Sequence, residues 1–306
     1  MKINQIEIFC KIVELGSFSR AAEASHLSQP TLTEHIKALE DYLGTTLLDR
    51  LGREVVPTKA GDILYDYAQK ILRLKREAEQ TLWNLKGALK GDLTVGASTI
   101  PGEYILPPLI KGFRDNFPDI IIKLTIGDTK KVIEDIVNNR IELGIVGAVM
   151  ENTKLEYHKF VKDELILIVP PSSSWGKIKS ITLEKLKEIP FVLREEGSGT
   201  RMVMEKTLRN HGFDSGRLNV IMRLGSTTAV IQAIKSGIGC SILSRRAVQE
   251  NLNNGTLKAV PIEKIKTFRD FYIVLRRGKF KSPLGEVFLK FLLEQSKVGT
   301  LISCCN

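Results

Sequence analysis

Residues 16–22 read GSFSRAA and residues 27–40 read LSQPTLTEHIKALE. This stretch predicts two short helices joined by a tight turn. Ser17 and Ser28 stand where a hydroxyl can accept a hydrogen bond from the first turn of a helix, and Pro30 fits a first turn because its missing N–H costs nothing there. The second helix has an apolar stripe with spacings of four, three and four residues, formed by Leu32, Ile36, Leu39 and Leu43.

The second helix also begins with a polar face, made of Gln29, Thr31, Thr33, Glu34, His35 and Lys37. Helix-turn-helix proteins direct this end of the second helix at base edges in the DNA major groove. Glutamine can pair with adenine, glutamate can accept from cytosine, and threonine can contact the thymine methyl group. We therefore predict a DNA-binding helix, with Ser17, Ser28 and Pro30 in the same DNA-binding set.

A predicted hairpin follows the two helices. Residues 47–50 and 54–57 flank a turn that contains glycine, which is a typical hairpin pattern. Arg50 and Arg53 would project from this wing. We expect them to contact the sugar-phosphate backbone or the minor groove of duplex DNA.

A long helix is predicted over residues 59–90, with Thr58 as its cap. Its apolar positions recur at alternating spacings of three and four: Leu64, Tyr67, Ile71, Leu74, Ala78, Thr81, Leu85 and Ala88. Such a seam is typical of a coiled coil. It predicts a homodimer, and hence a DNA operator that is a two-fold repeat.

The N-terminal part resembles that of a LysR-type transcriptional regulator. GSFSRAA, LSQPTLTEHIKALE and RLGREVVPTKAG (residues 50–61) carry the resemblance together, and it extends over essentially all 306 residues. The family often has a basic or amide residue where this chain has Glu34, a difference that concerns the operator sequence. The resemblance implies an α/β fold class with a winged helix-turn-helix over residues 1–58, a coiled-coil dimerisation linker over 59–90 and a two-lobed, periplasmic-binding-protein-like effector domain over 91–306. It also implies a dimer or tetramer.

Composition is that of an ordinary globular protein, with 43% hydrophobic and 26% charged residues in 34.2 kDa. The net charge of +10 is unevenly placed, because residues 1–60 hold 7 Lys/Arg against 8 Asp/Glu and residues 91–306 hold 32 against 23. DNA binding is therefore expected from the placement of charges rather than from their sum. The C-terminal excess fits either a solvated surface or an anionic ligand.

We expect a cytoplasmic protein. No apolar run is long enough to span a membrane, and the first residues lack the apolar core of a signal peptide. Cys10 and Cys240 lie in apolar runs and are expected to be buried thiols, whereas Cys304 and Cys305 lie at the end of the chain and are expected to be free.

The second half alternates predicted strands and helices, which favours parallel α/β sheets. Strands are predicted at residues 93–97, 120–126 and 143–146, and a second block runs from 164–169 to 240–243. The strand at 272–275 and the helix near 284–293 are expected to return to the first block. This gives a first lobe over about 91–161 and 269–300, a second lobe over 162–268, and a cleft between them.

Ligands of open α/β sheets bind beyond the carboxyl ends of the strands, where helix N-termini attract anions. The predicted effector residues at such positions are Ser98, Thr99, Thr129, Ser198, Gly199, Thr200, Arg201, Ser226 and Thr227. The hydroxyls could instead be plain helix caps, a reading we favour for Thr129 and Ser226. For Ser98–Thr99 and Ser198–Arg201 we favour ligand contact, because the two lobes would present them across one cleft. Arg201 could neutralise an anion or pair with Glu195 or Glu196.

No catalytic residue, metal site or cofactor is predicted. The four histidines share no metal-ligand spacing, and Ser198 lies in no nucleophile elbow. We predict a DNA-binding regulator that a small, anionic metabolite controls. The GSGTR loop resembles that of sulfur-assimilation and carbon-fixation regulators, which makes sulfur oxyanions, acetylserine-like compounds and phosphorylated sugar acids candidates. The alternatives are a regulator without an effector and, in another class, a solute-binding transport protein.

Overall fold

The computed structural model describes residues 1–51, 54–84, 89–172, 174–278 and 282–298. These form two compact units. The N-terminal unit lies within Met1–Ala88 and includes Asn138–Arg140, and the C-terminal unit lies within Leu89–Val137 and Ile141–Asn306.

The N-terminal unit is a helical domain with a hairpin. Its elements are α1 (Ile3–Leu15), α2 (Phe18–Ser25), α3 (Gln29–Leu43), β1 (Leu48–Leu51), β2 (Glu54–Pro57) and α4 (Lys59–Asn84). The first three helices bury one apolar cluster that includes Phe9, Ala21 and Leu32. Alanine at position 21 lets α2 and α3 cross closely, because a larger side chain would need space that this cluster fills.

Local capping agrees with the sequence. The Ser17 and Ser28 hydroxyls accept hydrogen bonds from Arg20 N (3.4 Å) and Thr31 N (3.3 Å), and the Thr58 hydroxyl accepts one from Gly61 N (3.1 Å). Leu43, which sequence spacing assigns to the buried stripe of α3, is instead 38% exposed. It is the last residue of the helix and lies beyond the packed region.

The long helix α4 has two apolar faces. Leu64, Ala68 and Ile71 pack against the N-terminal core, so part of the predicted seam belongs to the fold of its own chain. Tyr67 and Leu74 remain 60% and 57% exposed. Of the other predicted seam residues, Leu85 and Ala88 lie outside the described residues.

The C-terminal unit is built on a mixed sheet. Its strands are β3 (Gly91–Ser98), β4 (Ile120–Gly127), β5 (Leu143–Val146), β6 (Leu155–Val169), β7 (Phe191–Arg194), β8 (Val220–Leu224), β9 (Ser241–Ser244), β10 (Lys258–Val260) and β11 (Thr267–Arg276). Within the described residues the main sheet has the order β10-β6-β11-β5-β3-β4, with β9 also paired to β6. Only β3 with β4 and β3 with β5 are parallel in it. The expectation of parallel sheets therefore holds for β3 with its two neighbours and for β7 with β8. It is wrong for the rest of the main sheet, because β6 and β11 run antiparallel through it.

The helices of this unit are a π-helical turn (Pro101–Ile105), α5 (Leu106–Asn116), α6 (Thr129–Val137), α7 (Gly199–Asn210), α8 (Thr227–Lys235), α9 (Arg245–Asn253) and α10 (Pro283–Val298). Short 3₁₀ turns occur at Ser174–Lys177, Leu183–Glu188 and Ser215–Arg217.

Two long strands connect the two lobes of this unit. The strand β6 pairs along its length with β11, from Leu155 opposite Arg276 to Leu165 opposite Thr267. One end of β11 also pairs with β5 of the first lobe, and the far end of β6 pairs with β9 of the second lobe. The parallel pair β7 and β8 lies in the second lobe. The carboxyl ends of β3, β4 and β7 are each followed within a few residues by a helix start, which places polar residues between the lobes.

No helix in the described part of the chain is both long and apolar enough to cross a membrane.

Candidate DNA interface and effector site

The helix α3 presents the polar face that the sequence predicts. Gln29, Pro30, Glu34 and Lys37 are exposed, and Thr31, Thr33 and His35 are half-buried. Opposite them Leu32, Ile36 and Leu39 are buried in the core. Because the apolar face of α3 packs into the core, the polar face on the opposite side points to solvent and is accessible to a ligand.

Hydrogen bonds order the start of this face. The Ser28 and Thr31 hydroxyls are 2.7 Å apart, and the Thr33 hydroxyl donates to the Gln29 carbonyl (3.0 Å). The Gln29 side-chain oxygen accepts from the Ser19 hydroxyl (3.2 Å). These contacts restrict the rotamers of the side chains that would meet base edges, which lowers the entropy lost on binding.

The hairpin is tied to α3 by Glu40. Its carboxylate accepts from the backbone N–H groups of Leu47 (2.7 Å) and Leu48 (3.3 Å). In the hairpin Arg50 of β1 pairs with Val55 of β2. Arg53, the other predicted wing cation, lies outside the described residues.

A small polar cavity lies between the lobes of the C-terminal unit. It has a volume of about 10 Å³, and its walls are Ser98, Thr99, Ile100, Asp128, Thr129, Arg194, Ser198, Gly199, Thr200, Arg269 and Phe271. The structure therefore brings together six of the predicted effector residues, those at positions 98, 99, 129, 198, 199 and 200. It adds two arginines that the sequence reasoning missed.

Arg194 lies at the end of β7 with 4% of its surface exposed. Its Nη1 donates to the Thr227 hydroxyl, and its Nη2 reaches the Thr99 hydroxyl of the other lobe (3.4 Å). The Glu195 carboxylate accepts two further hydrogen bonds from Arg194, one from Nε (2.7 Å) and one from Nη2 (2.5 Å). Thr227 thus contributes to the cavity indirectly, because its hydroxyl holds the side chain of Arg194 in place.

Arg269 of β11 is the second cation. Its Nε donates to Asp163 (2.9 Å) and its Nη1 to the Thr200 hydroxyl (3.1 Å). Burial lowers the pKa of Arg269, and the adjacent Asp163 carboxylate opposes that shift. A side chain at Gly147 would place its Cβ 2.8 Å from Arg269 Nη1, so glycine there makes room for the guanidinium.

The hydroxyl of Thr129 is fully buried at the start of α6 and has no hydrogen-bond partner among the described residues. Thr129 is not the cap of this helix, because the Asp128 carboxylate accepts from Lys131 N (2.7 Å). A buried hydroxyl without a partner is costly, and this one lines the cavity wall.

Three predicted effector residues lie outside the cavity walls: Thr227, which contacts Arg194, and Arg201 and Ser226. Arg201 contacts Glu205 (2.7 Å), lies 3.9 Å from Glu196 and donates to the Arg194 carbonyl (3.3 Å). The predicted alternative, an ion pair with Glu196, is thus present but long. Ser226 caps α8 by accepting from Ala229 N (3.3 Å) and is exposed.

A helix-turn-helix with a wing, followed by a two-lobed α/β domain with a polar interlobe cavity, is the architecture of a DNA-binding regulator. Comparison with protein families agrees. Residues 3–62 match the bacterial regulatory helix-turn-helix proteins of the lysR family, and residues 86–297 match the LysR substrate binding domain. The chain belongs to the LysR family of transcriptional regulators. It is a DNA-binding regulator and not an enzyme. Because it is a DNA-binding regulator, the alternative of a solute-binding transport protein is set aside.

Individual relatives agree with this assignment. The chain is 35% identical to a probable RuBisCO transcriptional regulator of Cyanidium caldarium, over 95% of this chain and 93% of the relative. It is 33% identical to the RuBisCO operon transcriptional regulator of Allochromatium vinosum, over 97% of each. The solved regulatory domain of Synechocystis PCC6803 CcmR, in complex with 2-PG, is 27% identical with a TM-score of 0.62, over 68% of this chain and 98% of that domain. Full-length CbnR with its target DNA shares the fold, with a TM-score of 0.73 at 22% identity, over 98% of this chain and 100% of that one.

Proposed function

We propose that this regulator is controlled by a small oxyanion-bearing metabolite that binds in the interlobe cavity. The observation that carries the proposal is that two buried arginines, Arg194 and Arg269, face one cavity beside the unpartnered hydroxyl of Thr129. Guanidinium groups bind carboxylate and phosphate oxygens with matched geometry. The N-terminus of α7, at Ser198–Gly199–Thr200, adds backbone N–H groups and a partial positive charge.

The cavity is too small to admit a metabolite unless the two lobes move apart. About 10 Å³ is the space of a single water molecule, so a metabolite enters only when the lobes separate. The Glu195 carboxylate would compete with a ligand oxyanion for Arg194, because it already accepts two hydrogen bonds from that guanidinium. We infer that effector binding displaces this carboxylate. By linkage, effector and operator each change the affinity of the chain for the other.

On the DNA side, we propose that the polar face of α3 reads bases and that the wing binds the backbone. The proposed set is Ser17, Ser28, Gln29, Pro30, Thr31, Thr33, Glu34, His35, Lys37, Arg50 and Arg53. The exposed apolar residues Tyr67 and Leu74 of α4 support homodimerisation through residues 59–90. We further propose that two dimers associate as a homotetramer. We propose domain limits at 1–58, 59–90 and 91–306. We place the protein in the cytoplasm.

The effector proposal is tested by isothermal titration of the full-length protein with 2-PG, inorganic phosphate and sulfate. The CcmR domain binds 2-PG in its solved complex, and the two inorganic ions carry the oxyanion alone. We expect heat from at least one of these anions. Arg194→Gln should weaken that binding by about tenfold or more, the equivalent of one hydrogen bond to a charged group.

Arg201→Gln is the matched control, because it removes an arginine from the same loop and helix start but outside the cavity walls. The affinity of this variant for the anion should equal that of the unmodified protein. If only Arg201→Gln weakened anion binding, Arg201 would be the cation that binds the effector, as the sequence suggested. Absence of heat with all three anions would favour a regulator without an anionic effector.

A further inference from the structure

A second, larger cavity lies on the outer side of the joining strands. It has a volume of about 540 Å³ and is formed by β6, β11, the segment after β5 and one face of α7. This volume is in the range of sites that hold organic ligands, whereas the interlobe cavity holds about 10 Å³. The two cavities share a wall at Arg269 but differ in size and chemistry. We call the larger one the outer groove.

One side of the outer groove is apolar although it faces solvent. Phe268 is 60% exposed and Val149 is 50% exposed, and Met202 and Val203 of α7 continue the same lining. A phenyl ring left in water is unfavourable, and exposed apolar residues that line a concave site mark a place for a ligand or partner. The lining therefore fits a flat, apolar body.

The other side of the outer groove is positively charged. Lys162 and Lys206 are exposed, and neither forms an ion pair in the described part of the chain. The acidic group in the lining, Asp270, already contacts Lys159 at 3.1 Å, and Arg269 is paired with Asp163. The groove thus offers two free ammonium groups and no free carboxylate among its described residues. Such charge favours an anion.

We propose that the outer groove binds an amphipathic organic anion, with a ring-sized apolar body against Phe268 and a carboxylate, sulfonate or phosphate at Lys162 and Lys206. This site is separate from the effector cavity, and the proposal does not depend on what that cavity binds. Because Arg269 lines both sites, a ligand in the groove is positioned to change the affinity of the cavity for its effector.

The test uses the full-length protein and anilinonaphthalene sulfonate, a fluorescent probe with an apolar ring body and one anionic group. We expect saturable binding with a blue-shifted emission. Lys162→Gln with Lys206→Gln should weaken probe binding by about tenfold, because two exposed charge contacts are lost. Phe268→Ala should weaken it to a similar extent while leaving the charges in place.

The matched control is Lys179→Gln with Lys235→Gln. These two lysines are exposed in the same unit, lie outside the groove and form no ion pair in the part of the chain that the structure describes. The control should bind the probe like the unmodified protein. Equal probe affinity in all variants would overturn the proposal. So would a change of oligomeric state in the Lys162 and Lys206 variant without a change in probe affinity, since the groove would then be a contact between copies of the chain. Probe binding that Arg194→Gln abolished and the lysine variant left unchanged would place the probe in the interlobe cavity instead, because Arg194 lines that cavity and not the groove.

Discussion

Arg269 and Asp163 form an ion pair closed off from solvent. Arg269 Nη2 lies 2.8 Å from Asp163 Oδ2, and the two side chains are 3% and 0% exposed. The other oxygen of Asp163 accepts from the Ser244 hydroxyl (2.7 Å), and Arg269 also reaches Thr200. The pair therefore joins β6 and β11 to the end of β9 and the start of α7. It fixes the second lobe to the strands that connect it to the first.

Asp163→Asn should destabilise the protein because it leaves the Arg269 guanidinium buried without an opposite charge. The expected loss is about 3–5 kcal/mol in the free energy of unfolding, the usual cost of breaking a buried pair. Urea unfolding followed by circular dichroism measures it. Asp270→Asn, next to Arg269 on β11, removes a carboxylate whose partner Lys159 is largely exposed, and should leave the unfolding midpoint almost unchanged. Equal effects of the two changes would show that burial does not set the strength of the Asp163 pair.

Gly199→Ala should hold the two lobes apart. A Cβ at this position would lie 2.5 Å from the Thr129 hydroxyl and 3.2 Å from the Gly147 carbonyl carbon, so one of the two sides must shift. We expect a loss of about 1–3 kcal/mol in the free energy of unfolding, as for overpacking elsewhere. Gly225→Ala is the control, since its Cβ would meet nothing within 4 Å. If Gly199→Ala were as stable as the control, the close approach of the lobes at this residue would not exist in solution.

The fold was largely predictable from local patterns. The capping serines, the position of Pro30 and the spacing of Leu32, Ile36 and Leu39 each act within one helical turn, so residues near in sequence determine them. The ends of β3 and β4 were predictable for the same reason. The direction of β6 and β11 was not, because their antiparallel pairing joins residues about a hundred positions apart.

The arginines of the cavity also show that local sequence patterns do not reveal contacts between distant residues. Sequence reasoning chose Arg201 because it follows the glycine-rich loop, yet the helix turns that side chain to Glu205. Arg194 ends a buried strand and Arg269 lies within another, positions at which an arginine is uncommon unless it is paired. A charged residue inside an apolar strand pattern was thus a usable signal for both. Which carboxylate pairs with Arg269 depends on the pairing of β6 with β11, which the local pattern does not show.

Glu195→Gln should strengthen the binding of an oxyanion. The Glu195 carboxylate is 27% exposed and takes two N–H groups of Arg194, so it competes with a ligand for the same cation. Its neutralisation should raise the affinity for the anion that gives heat in titration by about threefold, allowing for solvent screening. Glu196→Gln is the control, because that side chain is 90% exposed and lies near Arg201 only at 3.9 Å. Weaker binding after Glu195→Gln would mean that this carboxylate holds Arg194 in position for the ligand and does not compete with the ligand for it.

Leu74→Asp should dissociate the dimer. Leu74 is 57% exposed on the face of α4 that does not pack against its own core, and a carboxylate there would be buried between two helices. We expect the dimer dissociation constant to rise by about thirtyfold or more, as for an interface hot spot. Sedimentation of the full-length protein measures it. Leu74→Met keeps an apolar side chain of similar volume and should remain dimeric. A dimer unaffected by the aspartate would place the interface on another surface.

Gln29→Ala and Thr33→Ala should each relax the choice of base at one operator position, because the polar face of α3 faces outward from the core. The expected loss is about 1–3 kcal/mol for the preferred base, with little change for operators altered at that position. Competition binding with operator variants measures it. Arg53→Ala, proposed to contact the backbone, should instead weaken all sequences alike and reduce the salt slope by about one. A uniform loss from Gln29→Ala would reverse these assignments, since a residue that weakens every sequence equally reads no base.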